Sequence, residues 1–296
     1  MQDAFSARHP LINFIYFTVV ILFSMFLMHP ASLVISLLCA FVYSLYLKGR
    51  KALRFFLLGM IPLLLVTALL NPLFNHAGVT ILFYLPGGNP VTLESIVYGL
   101  AAATMFVTVI VWFSCFNAVM TSDKFIYLFG KIIPALSLIL SMVLRLVPRL
   151  KAQGRVIANA QEGVGRDAGS GNILQRARSI VRMTSIMITW TLESAIETAD
   201  SMKSRGYGLP GRTAFSIYRF ERRDLIMLII ILLLAGLVLA GFVTGVTGMD
   251  YFPAVRITSL TWLSLLFFAA YAGLGLLPVI MDGWEDARWK RIKSAI

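Results

Sequence analysis

The residues best placed to do chemistry lie in Ala199-Asp-Ser-Met-Lys-Ser-Arg-Gly-Tyr-Gly-Leu-Pro-Gly-Arg212. A helical pattern leads into this stretch, and Gly206, Gly208, Pro210 and Gly211 end it together. Glycine supplies the left-handed cap, and proline cannot continue the ladder. Arg205 therefore falls on the last turn, where a cation complements the negative end of the helix dipole. A guanidinium held at a rigid tip offers several donors in one plane. That chemistry suits docking into a partner's groove better than catalysis, and Arg205 is the candidate docking residue.

Other constellations are weaker. Glu162-Gly-Val-Gly-Arg-Asp-Ala-Gly-Ser-Gly171 is glycine-rich, but no Gly-x4-Gly-Lys-Ser/Thr occurs in the chain, and Gly130-Lys131 is followed by Ile132, which has no hydroxyl for magnesium. The run reads as an interhelical turn, not a phosphate loop. No Ser/His/Asp set converges, and Ser114 beside Cys115 has no nearby histidine. Asp282, Glu285 and Asp286 flank Trp284 and read as a solvated face. His9, His29 and His76 lack ligand spacing, so no metal site is expected. Cys39 and Cys115 sit in apolar runs as buried small hydrophobes, not a disulfide. Neither catalysis nor a cofactor is expected of this chain.

The elements that position Arg205 belong to a membrane protein. Hydrophobic residues make up 58% of 296 positions and charged residues 14%, too apolar for a soluble domain. The net charge of +12 is segregated between apolar runs, the membrane pattern and not that of a nucleic-acid-binding patch. Six runs approach the ~20 apolar residues a spanning helix needs. They are Leu11–Met28, Ala31–Leu47, Leu53–Leu70, Glu94–Phe116, Leu225–Val246 and Ile257–Ile280. The first has no small-x-small cleavage site and reads as retained.

Of the 26 Lys and Arg, every one except Arg256 lies before run one, between runs two and three (counting Arg54 at the edge of run three), between runs four and five, or after run six. The positive-inside rule then puts both termini in the cytoplasm. Ile132–Val147 is also apolar, but Pro134, Arg145, Pro148 and Arg149 interrupt or flank it, and spanning would break the charge alternation. It reads as a helix packed at or in the cytoplasmic membrane face, with a deeper dip into the membrane as the alternative. The fold class is all-α and polytopic. Residues 1–116 hold four membrane helices, 117–224 a cytoplasmic coupling-helix region, and 225–296 two further membrane helices and a tail.

The cytoplasmic region is too long for a connector. It divides into Asp123–Phe129, Ile132–Ala160 and Asn172–Ser204. In the last, Val181, Ile188, Leu192, Ala195, Ala199 and Met202 recur at helical spacing. This stripe is expected chiefly to pack within the chain, and part of it could meet another subunit. The spans hold essentially no ionisable residue apart from Glu94 at one edge, which argues against a self-sufficient pump.

Two segments resemble the transmembrane T component of energy-coupling factor (ECF) transporters, bacterial importers of vitamins and trace metals. Leu70-Asn-Pro-Leu-Phe-Asn-His-Ala-Gly-Val-Thr-Ile-Leu-Phe-Tyr84 is similar to that family's Asn-Pro-Leu-Phe segment. Ser204-Arg205-Gly206 is similar to the second of its two Ala-Arg-Gly motifs, with Ser for Ala. The first motif departs: after Ala160-Gln161 the arginine, Arg166, comes behind Gly165. The resemblance implies a non-catalytic scaffold that binds two cytoplasmic ATPase subunits through its coupling-helix tips, at Ser204, Arg205, Gly206 and Arg166. It also implies a separate substrate-binding membrane S component, which would choose the substrate. The alternative is a self-contained six-span carrier or channel, though no internal repeat is evident.

Overall fold

The computed structural model describes residues 4–84, 88–130, 133–165, 172–207, 209, 218–257 and 261–294. The protein is an all-α polytopic membrane protein. In chain order come α1 (Pro10–Phe26), α2 (Pro30–Lys48), α3 (Arg50–Phe55), a π turn (Phe56–Met60), α4 (Ile61–Phe74), β1 (Ile81–Tyr84), β2 (Pro90–Thr92) and α5 (Leu93–Val119). They are followed by α6 (Ser122–Gly130), α7 (Pro134–Gly163), α8 (Ile173–Ser204), α9 (Arg222–Val243), β3 (Met249–Asp250), β4 (Arg256–Ile257) and α10 (Trp262–Ser294).

Among the described residues, five helices are long and apolar enough to cross a membrane, and α1 is a shorter apolar helix. Arg50–Phe74, through the π turn, counts as one of the five. Each answers to one of the six runs, and α7 is not among them. The ends differ where polar chemistry overrides hydropathy. A reciprocal capping box between Glu221 and Asp224 starts α9 at Arg222, three residues before its apolar run. Arg256–Ile257 pairs with Met249–Asp250, which delays α10 to Trp262. The same helix then continues through the charged tail to Ser294.

The chain divides into two compact units, Met1–Lys124 with Tyr218–Ile296, and Phe125–Ile217. In the first, α1, α2, α5, α9 and α10 surround an aromatic core. Tyr16, Phe17, Tyr43 and Trp112 are fully buried, with Phe5 against Tyr16 at 5.0 Å between ring centres. Hydroxyl and indole groups within this core are paired with one another or with backbone. Trp112 Nε1 donates to Ser36 Oγ at 3.3 Å, Ser24 and Ser36 hydroxyls meet at 2.7 Å, and Tyr16 donates to the Gly275 carbonyl at 3.2 Å. A Cβ on Gly275 would lie 2.8 Å from Cys39 Cβ, so glycine lets α2 and α10 touch. Cys39 and Cys115 are buried free thiols.

The basic ends of these helices meet at one end of the unit. Arg8 pairs with Glu285 at 3.3 Å and Asp224 at 4.0 Å, joining the starts of α1 and α9 to the tail of α10. Lys48 Nζ donates to the Ser114 carbonyl at 2.9 Å, and Tyr46 donates to Asp286 at 3.0 Å. Asp282 is buried and accepts from the Phe5 amide at 2.9 Å. The three acids around Trp284 are therefore not a solvated face. They fasten the N-terminal segment and α2 to α10, an outcome hidden from sequence because their partners lie more than 200 positions away.

The opposite end holds the His29 cap, whereas the His9 cap stands at the charged end. His9 and His29 begin α1 and α2, each accepting from the amide two residues on, with proline at the first helical position. Burial lowers the His29 pKa and keeps the ring neutral, as an Nδ1 acceptor must be. Tyr251 donates to the Met28 carbonyl; burial pushes its phenol up to about 12, so it stays protonated. Since α1 runs from the charged end to this one, His29 belongs here and His9 to the other. His76 Nδ1 lies 3.1 Å from the Pro90 carbonyl, so the three histidines serve separate turns.

Candidate functional site

The second unit contains α7, α8 and most of α6. Pro134 sits at the first turn of α7, where its missing amide costs no intrahelical bond. Asn172 and Gln175 form a capping box that starts α8. The two long helices pack together. Arg149 lies over the Trp190 ring at 5.1 Å, and a Cβ on Gly154 would sit 3.7 Å from Met187 Sδ. Leu146, Leu150, Gly154 and Ile157 form the shielded face of α7.

On α8 the half-buried positions are Ser179, Met183, Met187, Trp190, Thr191, Ser194 and, near its end, Met202. The stripe expected to pack within the chain does not. Val181, Ile188, Leu192, Ala195 and Ala199 are exposed, and Met202 alone is half-buried. Both faces have helical period, so periodicity could not say which one α7 covers. What selects the other face is the pairing of methionine and tryptophan with Gly154 and Arg149.

The end of α8 has the geometry of a Schellman cap. Gly206 adopts φ +72°, its amide donates to the Lys203 carbonyl at 3.0 Å, and the Tyr207 amide donates to Met202 at 3.0 Å. Arg205 is the cap residue itself, one step beyond the last helical position, at φ −83° and ψ 10°. It is exposed, and among the described residues its guanidinium has no hydrogen-bond or ion-pair partner. Ser204 is spent locally, donating its hydroxyl to the Ser201 carbonyl at 3.0 Å. The site thus presents one uncommitted guanidinium on a backbone whose turn is fully hydrogen-bonded.

The end of α7 repeats the turn with other side chains. Gly165 has φ +73°, and its amide donates to the Glu162 carbonyl at 2.9 Å. The residue before it is Val164, exposed, at φ −94° and ψ 11°. Superposing the two left-handed glycines therefore places Val164 where α8 has Arg205. Arg166, the displaced arginine, lies outside the described residues. The signal for Val164 was present in the sequence, as the residue before the second glycine of Gly163-Val164-Gly165.

The other distinctive segment, Leu70–Tyr84, is anchored in the first unit. A Cβ on Gly99 would come 2.8 Å from Asn71 Cβ and 2.9 Å from the Ala68 carbonyl, so α4 lies directly on α5 there. Glu94, buried at the start of α5, accepts from the Thr80 amide at 3.2 Å, and Thr92 donates to the Ala77 carbonyl at 2.6 Å. Glu94 is thus an anchor for this loop. Leu73 and Phe74 remain exposed beside it.

The CbiQ family, described as Cobalt transport protein, matches residues 5–217. The chain belongs to the CbiQ family. A relative from Lacticaseibacillus paracasei, "Energy-coupling factor transporter transmembrane protein EcfT", is 31% identical over 214 residues, 68% of this chain and 80% of the relative. "Energy-coupling factor transporter transmembrane protein EcfT 1" of Listeria monocytogenes is 31% identical over 204 residues, 63% of this chain and 75% of the relative. The Listeria innocua EcfT is 29% identical over 217 residues, covering 68% and 81%. The likeness read from Leu70–Tyr84 and Ser204–Gly206 thus extends over most of the chain. Membership of the CbiQ family, with the apolar helices, makes this a multi-pass bacterial membrane protein of transport.

Proposed function

We propose that this chain is the non-catalytic membrane scaffold of an ATP-driven importer of the energy-coupling-factor kind. Two cytoplasmic ATPase subunits each receive one coupling-helix tip. Arg205, flanked by Ser204 and Gly206, is the principal contact, and Arg166 serves the tip of α7. A separate S component binds the vitamin or trace metal. The observation that carries this reading is the uncommitted Arg205 guanidinium at a hydrogen-bonded left-handed cap. Such a group gains most from carboxylate or carbonyl acceptors supplied by a partner.

Other features support it. The exposed stripe from Val181 to Ala199 is a surface for a second membrane subunit to cover. The gathering of Arg8, Lys48, Arg222, Arg223 and Arg288 at one end of the first unit fits a cytoplasmic position for that end. On this reading, residues 1–116 and 225–296 form the membrane anchor, and ATP-driven closure of the ATPases moves α7 and α8.

Purifying the tagged chain from its native membrane tests this. Two ATPase subunits, alike or different, and one small membrane protein should accompany it. If the isolated chain instead bound and transported substrate alone, the scaffold reading would fail.

A further inference from the structure

At the end of the first unit where α1 and α9 begin and α10 finishes, a cavity of about 670 Å³ is lined by Arg8, Arg223, Trp284, Glu285, Arg288 and Trp289, with Ile226 and Ile292 at its apolar margin. We propose that this cavity binds an anionic phospholipid, its phosphate held by Arg223 and Arg288. The inference rests on the chain being membrane-embedded and not on the coupling role of Arg205.

Three features of the lining carry it. The first is charge. Three arginines face one carboxylate, and Arg8 is already engaged by Glu285 at 3.3 Å and Asp224 at 4.0 Å. Arg223 and Arg288 have no hydrogen-bond or ion-pair partner among the described residues. Two guanidinia beside one cavity repel each other until an anion arrives. Arg8 thus sets the walls, and the other two are left for a ligand.

The second feature is amphipathicity. Ile226 follows Arg223 by three residues on α9, and Ile292 follows Arg288 by four on α10, so each cation has an apolar neighbour on its own face. Beyond Ile226, Ile229, Ile230 and Leu233 continue outward-facing along α9. A phosphate seated on the arginines would lead its acyl chains onto this surface. Inorganic phosphate or a nucleotide would make no use of it.

The third feature is the tryptophan pair. Trp284 and Trp289 are 68% and 61% exposed at the mouth of the cavity. An indole that is apolar in body and polar at N–H favours the headgroup level of a bilayer. Their presence sets the cavity at that depth, where basic pockets between membrane helices recognise anionic headgroups.

The test uses the full-length chain, with whatever subunits co-purify, in mild detergent. Native mass spectrometry follows the binding of added phosphatidylglycerol, phosphatidylcholine and inorganic phosphate. Phosphatidylglycerol should bind, phosphatidylcholine should bind far more weakly, and millimolar phosphate should not displace the lipid. Each guanidinium near an anionic lipid contributes about 1 kcal/mol. Arg223→Gln with Arg288→Gln should therefore weaken phosphatidylglycerol binding roughly thirtyfold, about 2 kcal/mol at about 1.4 per factor of ten. Arg288→Gln alone, at an exposed position, should weaken it about fivefold and reports even if the double variant is unstable. Arg256→Gln, a basic residue outside the cavity, should leave it unchanged. Equal binding of phosphatidylcholine, displacement by phosphate, or an equal loss in Arg256→Gln would overturn the proposal. So would retained lipid in the Arg288→Gln chain, including the case where that chain loses a co-purifying protein instead.

Discussion

At the end of α8 the residue before the left-handed glycine is Arg205; at the end of α7 it is Val164. The backbones around them are alike. Gly206 and Gly165 have φ +72° and +73°, and each amide bonds back to the carbonyl three residues earlier. The turn is therefore a device both helices share for ending at a fixed angle. What differs is the side chain that the turn presents, a cation at one tip and an apolar group at the other. If the tips dock as proposed, the difference assigns two separate roles: glycine fixes the tip, and the preceding residue sets the strength of the contact. In the proposed transporter the two ATPase contacts are then unequal, with α8 dominant.

The largest effect should come from Arg205 itself. Removing one partner of a buried charged contact costs ~2–5 kcal/mol, at least roughly thirtyfold in affinity. Arg205→Glu should nearly abolish ATPase co-purification and uptake, Arg205→Ala should impair both strongly, and Arg205→Lys should fall between Ala and the parent. Pull-down yield and uptake at equal membrane levels check the order.

The glycines come next and sharpen the comparison. A β-branched residue at either is strained by about 1–2 kcal/mol, because its Cβ opposes the left-handed conformation. Gly206→Val and Gly165→Val should lose similar thermal stability. Only Gly206→Val should lose most of the ATPase contact, since only its turn orients an arginine. Equal losses of contact from the two would show that tip shape, not Arg205, carries the coupling.

A smaller effect runs in the opposite direction. Val164→Arg gives the α7 tip a guanidinium in the position Arg205 holds. An added exposed ion contact contributes up to about 1 kcal/mol, so ATPase affinity should rise severalfold in a titration with purified ATPases. A fall in affinity would mean that the α7 tip needs an apolar residue.

The smallest effect should be common to both tips. Arg149 over Trp190 clamps α7 to α8 at 5.1 Å, and an exposed cation–π contact contributes about 0.5–1 kcal/mol. Arg149→Ala should lower the melting temperature by a few degrees at most while leaving the ratio of Arg205→Ala to Val164→Ala effects intact. Loss of that ratio would mean the clamp, and not the cap residue, sets the asymmetry.

Much of the architecture was legible in the sequence because lipid imposes a simple rule on composition. A run such as Leu225–Val246 can only be a buried or spanning helix, and α9 is found there. The helix stop at Gly206 was legible for a local reason, since a left-handed position followed by proline leaves few alternatives. Contacts between distant segments were not legible. Asp282 reads as a tail acid until the Phe5 amide is placed against it. The stripe Val181–Ala199 reads as a core face until Arg149 and Gly154 are seen to meet Trp190 and Met187 instead. The place of Val164 needed the φ of Gly165, which shows which glycine of Gly163-Val164-Gly165 ends the helix. Arg166 lies outside the described residues, and its part at that tip stays a proposal.

The central claim is that coupling runs chiefly through Arg205. It is tested most directly by ATP-driven uptake into liposomes holding the complete complex, with Arg205→Ala, Val164→Ala and Arg166→Ala compared at equal protein. Arg205→Ala is expected to lose most of the uptake, roughly thirtyfold or more for a contact of about 2 kcal/mol. Val164→Ala should stay near the parent rate, and Arg166→Ala should show a lesser loss. Parent-like uptake by Arg205→Ala together with failure of Arg166→Ala would contradict the claim and move the coupling contact to the tip of α7.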